Sequence, residues 1–207
     1  MFYFIQPPWW LKKLYPACIW EMETDEKVIY LTFDDGPHLQ ATPFVLDELK
    51  RHDAKATFFC IGKNVARHSD IYRRIVHEGH RTGNHTFHHM NGWKANDTAY
   101  LKDIAAAREY IDSGLFRPPY GKITKWQVRH LTDAFKMKVI MWSVLSADFD
   151  AKVTPETCLK NVMLGAKPGS IVVFHDSEKA WRNIAYALPK VLMHFSERGY
   201  RFEKINL

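Results

Sequence analysis

Hydrophobic and polar positions along this chain switch repeatedly between a two-residue and a helical period, and the switches come in alternation. Lys27–Phe33 (KVIYLTF) is a β-branched and aromatic run of strand type, stopped by Asp34-Asp35-Gly36-Pro37. Thr42–His52 carries Phe44, Val45, Leu46 and Leu49 at helical spacing, Lys55–Ile61 returns to strand character, and a helix bearing Ile71, Ile75 and Val76 runs to a stop at Gly79. Further strands are predicted at His80–Asn84, Leu115–Arg117, Lys138–Trp142, Ser170–Phe174 and Arg201–Ile205, and helices at Asp97–Asp112, Thr124–Phe135, Thr154–Leu164 and Asn183–Arg198. Such alternation implies parallel strands joined by helical crossovers, closed into a barrel or left as an open doubly wound sheet. Period alone does not choose between the two. In both, chemistry belongs at the carboxyl ends of the strands. The polar residues that interrupt the pattern fall there: Asp34 and Asp35 after the first strand, His85 to His89 after the third, Arg117 closing the fourth, Asp148 soon after the fifth and His175 ending the sixth.

Composition narrows the field. Hydrophobic residues make up 46% of 207 positions and charged residues 25%, enough apolar material for one large core without a Gly/Ser linker to divide it. The organisation expected is an aromatic lead-in at residues 1–26 followed by one domain at residues 27–207. The net charge of +6 is not gathered: basic residues occur at most in pairs, such as Lys12-Lys13, and nothing resembles a nucleic-acid recognition motif, so no nucleic-acid partner is expected. Three cysteines without a C-x-x-C pattern argue against both a disulfide framework and a cysteine zinc site. The start, MFYFIQPPWWLKKLYPACIW, lacks the layout of a secretion signal because its first positive charges follow the apolar stretch and Pro7-Pro8 interrupts it, and a cytoplasmic protein is the expectation. No run approaches the roughly 18 apolar residues of a spanning helix. Trp9, Trp10 and Trp20 beside Lys12 and Lys13 leave peripheral membrane contact open; packing of their rings against the barrel bottom is the favoured expectation. Oligomeric state is not legible.

Two neighbouring carboxylates at a strand end can divide their work, one holding a cation and the other acting as a base, once the Gly36-Pro37 turn frees them from strand alternation. His85 and His89 are four apart, which suits two imidazoles on one side of a helical turn, and His88 competes with His89 for that place. Two histidines and one carboxylate leave open positions on a metal for water and substrate. Hydrolysis needs that opening, and zinc suits it, although iron(II) oxygenases use the same ligand set.

Five motifs, in order, resemble those of the polysaccharide deacetylases with a NodB-type domain, also called carbohydrate esterase family four. They are T-F-D-D-G-P at Thr32–Pro37, H-T-x-x-H at His85–His89, R-P-P-Y-G at Arg117–Gly121, the region Trp142–Asp150, and V-x-H at Val173–His175. The resemblance implies a distorted (β/α) barrel of about seven strands. It implies a divalent metal, zinc foremost with cobalt or nickel as alternatives, held by Asp35, His85 and His89. Asp34 would be the base, Arg117 the cation that orients it, Tyr120 the source of a backbone N–H for the oxyanion, His175 the acid and Asp148 the carboxylate behind it. Tyr120, Phe149 and Val173 would line the substrate pocket. The implied activity is removal of N-acetyl groups from glycans containing N-acetylglucosamine, of peptidoglycan or chitin type; ester cleavage on acetylated xylan and a silent carbohydrate-binding protein are the alternatives. Two motifs depart from the pattern: the usual D-x-x-D-W is here Leu145-Ser146-Ala147-Asp148-Phe149, which keeps the second Asp and changes one wall of the groove, and Val173 stands where Leu is usual in the fifth.

Overall fold

The computed structural model describes residues 3–207. The elements are α1 (Trp9–Leu14), β1 (Cys18–Ile19), β2 (Val28–Asp34), α2 (Ala41–Arg51), β3 (Thr57–Cys60), α3 (Gly62–Arg67), α4 (Ser69–His77), β4 (Arg81–Asn84), α5 (Asp97–Arg108), β5 (Leu115–Phe116), α6 (Lys125–Asp133), β6 (Lys138–Ile140), β7 (Val144–Leu145), α7 (Pro155–Gly165), β8 (Ile171–His175), α8 (Trp181–Ser196) and β9 (Arg201–Phe202). Eight strands follow one another in the order β1-β6-β5-β4-β3-β2-β8-β7, all pairings parallel, with β9 added beside β2. β6 and β7 are consecutive in the chain, joined by Met141–Ser143, yet stand towards opposite ends of this order. One short run therefore pairs with β5 through its first half and with β8 through its second, and the sheet curls into a distorted barrel. The strand expected at Lys138–Trp142 is β6, and β7 begins beyond it; β7 and the equally unexpected β1 take the count above seven.

Strand alternation sorts the side chains. Ile29, Leu31 and Phe33 of β2 belong to the large cluster under α2 and α8, where the Phe33 ring stacks on Phe58 at 5.0 Å and on Phe174 at 6.2 Å. The other parity points inward: Phe59, Leu115, Ile140 and Ile171 form the barrel's inner plug, with Tyr30 packed on it. Continuing that parity towards the carboxyl ends gives Thr32 and Asp34 on β2, Arg117 after β5, and Val173 and His175 on β8. The polar residues above the plug are the inward positions of the last strand turns.

The N-terminal segment departs from expectation. Cys18–Ile19 joins the sheet as β1, pairing with β6, and buried Trp20 sits with its ring 6.4 Å from that of Trp142. Tyr3 and Phe4 lie not at the barrel bottom but at the carboxyl end, with Tyr3 in the cleft described below. Trp9 and Trp10 remain exposed on α1. The three cysteines are free and buried, and no helix among the described residues is long and apolar enough to cross a membrane.

Candidate active site

A cleft of about 670 Å3 opens at the carboxyl ends of the strands, and its floor holds Asp34, Asp35, His85, His89, Arg117 and His175. β2 ends on Asp34; the next residue takes a left-handed backbone, φ 79°, and that reversal sends two adjacent carboxylates into one space. Asn64 holds the turn by donating from Nδ2 to the Asp35 carbonyl at 2.7 Å.

His85 and His89 reach the same space by a different route from the one their spacing suggests. Residues 85–90 form a loop, not a helical turn, with left-handed Thr86 (φ 63°) and His89 (φ 57°). The loop is braced at both ends: Asn84 Oδ1 accepts from the Thr86 N–H at 2.8 Å and Thr86 Oγ1 accepts from the Met90 N–H at 3.0 Å. His85 Nδ1 donates to the Arg117 carbonyl at 2.8 Å, so its Nε2 carries the lone pair. Burial lowers the His85 pKa to about 4 despite the nearby charges of Asp34 and Asp35, which keeps the ring neutral, as a ligand requires. His89 Nδ1 bonds to the Tyr120 hydroxyl at 3.1 Å, again turning Nε2 inward. The two Nε2 atoms lie 3.7 Å and 3.1 Å from Asp35 Oδ1. That oxygen is buried without an aligned hydrogen-bond donor. Burial would push the Asp35 carboxyl up, but His89, His175 and His85 outweigh it and hold it well below the usual carboxylate range. Among the described residues, Asp35, His85 and His89 are a group able to hold a metal ion, with ligand atoms all within 4.8 Å of one another. An orphaned buried oxygen facing two inward lone pairs fits a divalent cation. His88 does not compete: its Nδ1 is 2.6 Å from Asp103 Oδ1.

Asp34 stands beside this group, gripped from below. Arg117 is 1% exposed and spends its donors on Asp34 Oδ1 (2.8 Å), Thr32 Oγ1 (2.6 Å) and the carbonyls of Ile140 (3.3 Å) and Met141 (2.8 Å), with its guanidinium 4.1 Å above the Phe59 ring. Burial lowers its pKa below the ordinary guanidinium value, and the Asp34 carboxylate opposes that shift only in part. The pair is a buried, hydrogen-bonded salt bridge that fixes the carboxylate's direction.

Across the cleft, His175 Nδ1 donates to Asp148 Oδ1 at 2.7 Å, and Asp148 Oδ2 accepts from the His175 backbone N–H at 2.7 Å. Burial would lower the His175 pKa, yet Asp148, with Asp35 and Asp34 behind it, raises it to about 9. The ring is an imidazolium at neutral pH, with Nε2–H towards the cleft. The following residue, absent from the sequence-based site, is structural to it: Asp176 Oδ1 accepts from the Gly36 N–H at 3.1 Å and Oδ2 from Thr42 Oγ1 at 2.5 Å. Burial pushes its carboxyl up to about 8, the Thr42 bond opposing and the Asp35 charge reinforcing. Only its place directly after His175 at a strand end hinted at this.

Tyr120, Phe149 and Val173 all line the cleft, joined by Leu145, Trp142 and Tyr3. Tyr120 has a left-handed backbone, φ 61°, and a half-exposed ring, so its hydroxyl role at His89 adds to the backbone role expected of it. Phe149 meets the His175 ring edge-on at 4.9 Å.

Three comparisons bear on this arrangement. The family model described as polysaccharide deacetylase matches residues 21–139. A peptidoglycan-N-acetylglucosamine deacetylase of Bacillus cereus is 36% identical over 181 residues, covering 84% of this chain and 65% of that protein; a second from the same organism is 34% identical over 193 residues, 90% of each. The chain thus spans just under two thirds of the first relative and nearly all of the second. The fold overlays on the crystal structure of a peptidoglycan N-acetylglucosamine deacetylase in complex with 4-naphthalen-1-yl-N-oxidanyl-benzamide, with a TM-score of 0.88, 32% identity and coverage of 96% and 95% of the two chains. A matched family model over more than half the chain, a full-length relative and a shared fold agree with the motif order and with the assembled cleft: this chain belongs to the polysaccharide deacetylase family.

Proposed function

We propose that this chain is a metal-dependent hydrolase that removes N-acetyl groups from glycans containing N-acetylglucosamine, of peptidoglycan or chitin type, with zinc as the metal held by Asp35, His85 and His89. The observation that carries the reading is the opposition of two groups across one cleft: a carboxylate, Asp34, fixed by Arg117, and an imidazolium, His175, fixed by Asp148. Amide hydrolysis needs a base for water, stabilisation of the tetrahedral oxyanion, and a proton for a poor leaving group. A bound divalent cation supplies Lewis acidity towards the acetyl carbonyl and towards water. Asp34 takes the proton of the attacking water, its Oδ1 held by Arg117 so that the carboxylate stays aimed at the cleft. The Tyr120 N–H faces the developing oxyanion, presented by the left-handed turn of Arg117-Pro118-Pro119-Tyr120-Gly121. His175 delivers its Nε2 proton to the departing amine, and Asp148 stabilises the imidazolium until it does. The apolar lining of Val173 and Leu145 suits an acetyl methyl.

A donor that stays protonated at neutral pH favours amide over ester cleavage, because an alkoxide leaves with less help than an amine. The test is acetate release from chitooligosaccharides, peptidoglycan fragments and acetylated xylan, each with added zinc, cobalt or nickel. Release is expected from the N-acetylated substrates and should fall by roughly 100- to 10,000-fold in Asp34→Asn. Acetate release that survives Asp34→Asn would reject the base assignment; release from xylan alone would replace the amide reading with the ester one.

A further inference from the structure

We infer that the N-terminal strap, residues 3–6, is a wall of the glycan groove and that Tyr3 determines specificity by carrying a sugar ring next to the one being deacetylated; this rests on the deacetylase reading above. The strap is fastened where the fourth motif departs from the family pattern. Leu145 donates its N–H to the Ile5 carbonyl at 2.8 Å, and Trp142 donates from Nε1 to the Phe4 carbonyl at 3.3 Å. Tyr3 donates its hydroxyl to Asp150 Oδ2 at 2.7 Å, and its ring meets Phe149 at 5.3 Å with the planes 66° apart.

These anchors have a physical logic. β7 is the last strand in the sheet order, so its outer N–H groups lack a neighbouring strand. Ile5 supplies the partner for Leu145, and the strap covers the edge there. Leu145 and Phe149 stand where the family pattern has Asp and Trp, and neither offers a polar atom to a sugar. The strap brings back an aromatic face with a polar tip beside them. Tyr3 lines the cleft together with Asp34 and His175 while only partly buried. Its ring is reached from His175 through Phe149, 4.9 Å and then 5.3 Å between centroids. That places it one ring beyond the reacting group, the place for a neighbouring pyranose, whose C–H face stacks on an aromatic ring. The hydroxyl bond to Asp150 fixes the ring's angle in advance, which limits the entropy lost when sugar binds.

The experiment compares the zinc-loaded protein with Tyr3→Ala and Tyr3→Phe on N-acetylglucosamine and on tetra-N-acetylchitotetraose, by acetate release. Tyr3→Ala should raise KM for the tetramer roughly 5- to 10-fold with kcat held. KM for the monosaccharide, which has no neighbouring ring, should change by less than about two-fold, and Tyr3→Phe, which keeps the ring, should recover most of the loss. Circular dichroism melting establishes that each variant is folded. Equal losses on both lengths, a fall in kcat instead of a rise in KM, or no change at all would overturn the wall. A wild-type protein that releases no acetate from either substrate fails the deacetylase reading itself, and the wall with it.

Discussion

His175 shows how a single side chain is tuned by opposed influences. Its burial favours the neutral ring, while Asp148 at 2.7 Å, backed by Asp35 and Asp34, favours the charged one, and the carboxylates win by raising the pKa to about 9. The sign of the consequences follows. The imidazolium's contribution to stability is complete below the unfolded-state value of about 6.5 and is lost as pH rises through about 9, and the proton donor is lost over the same rise. Replacing Asp148 by Asn keeps a hydrogen-bond acceptor and removes the charge. In the metal-free protein the His175 ring, followed by NMR, should then titrate roughly 1–3 pH units lower than in the wild type. The alkaline limb of acetate release should move down with it. An unmoved His175 titration would mean that Asp148 holds the ring without charging it.

At the level of elements, the site depends on loops whose backbones do what strands and helices cannot. Asp35, Thr86, His89 and Tyr120 all adopt positive φ, a conformation costing of order 1–3 kcal/mol each outside glycine, retained where surrounding bonds over-determine it. The turn after β2 is the tightest of these: a Cβ added to Gly36 would sit 2.0 Å from Asp176 Oδ2. Gly36→Ala must therefore push Asp176 or the turn aside, and Asp35 moves with the turn. Zinc affinity, measured by competition with a chromogenic chelator, should fall roughly 10- to 100-fold, as it does when groups that orient ligands are lost. Affinity equal to wild type would show that Asp35 does not depend on the Gly36–Asp176 contact. This level is also where the sequence was only partly readable. Asp34, Arg117 and His175 were legible because each stands at the end of a clear hydrophobic period and alternation turns it inward, and Asp35 because the Gly36-Pro37 turn follows it. The H-x-x-x-H spacing pointed to two histidines that the structure does gather beside Asp35, but through the wrong geometry, since residues 85–90 meet by left-handed loop turns that no period signals. β7 escaped notice because a two-residue strand is specified by its neighbour β8 and not by its own pattern. Asp176 and Tyr3 were silent for a related reason: their partners lie over a hundred positions away in the chain, and ordinary local sequence carries no trace of such contacts.

For the whole molecule, the cation group is a tie between distant parts of the barrel. Asp35 follows β2, while His85 and His89 follow β4, two strands away in the sheet order. Without a cation this end of the barrel holds the Asp34 carboxylate on Arg117 and leaves Asp35 Oδ1 unpartnered. If zinc is the ion this group holds, binding only the folded arrangement should stabilise the native state by mass action, about 2.7 kcal/mol at a free concentration of 100 times Kd. For a chain of this size each kcal/mol raises Tm by roughly 2–4 °C, so saturating zinc should lift the melting temperature of the metal-free protein by roughly 5–10 °C. The increase should vanish in His85→Ala, whose Nε2 is an inward donor, and persist in His88→Ala, whose ring is bound to Asp103 outside the group. Equal zinc-dependent increases in wild type and His85→Ala, read by calorimetry, would place the stabilising ion elsewhere on the surface. An increase lost in His85→Ala and kept in His88→Ala would tie metal binding at the carboxyl end to the stability of the barrel as a unit, because the ligands it joins follow β2 and β4, which β3 separates in the sheet order.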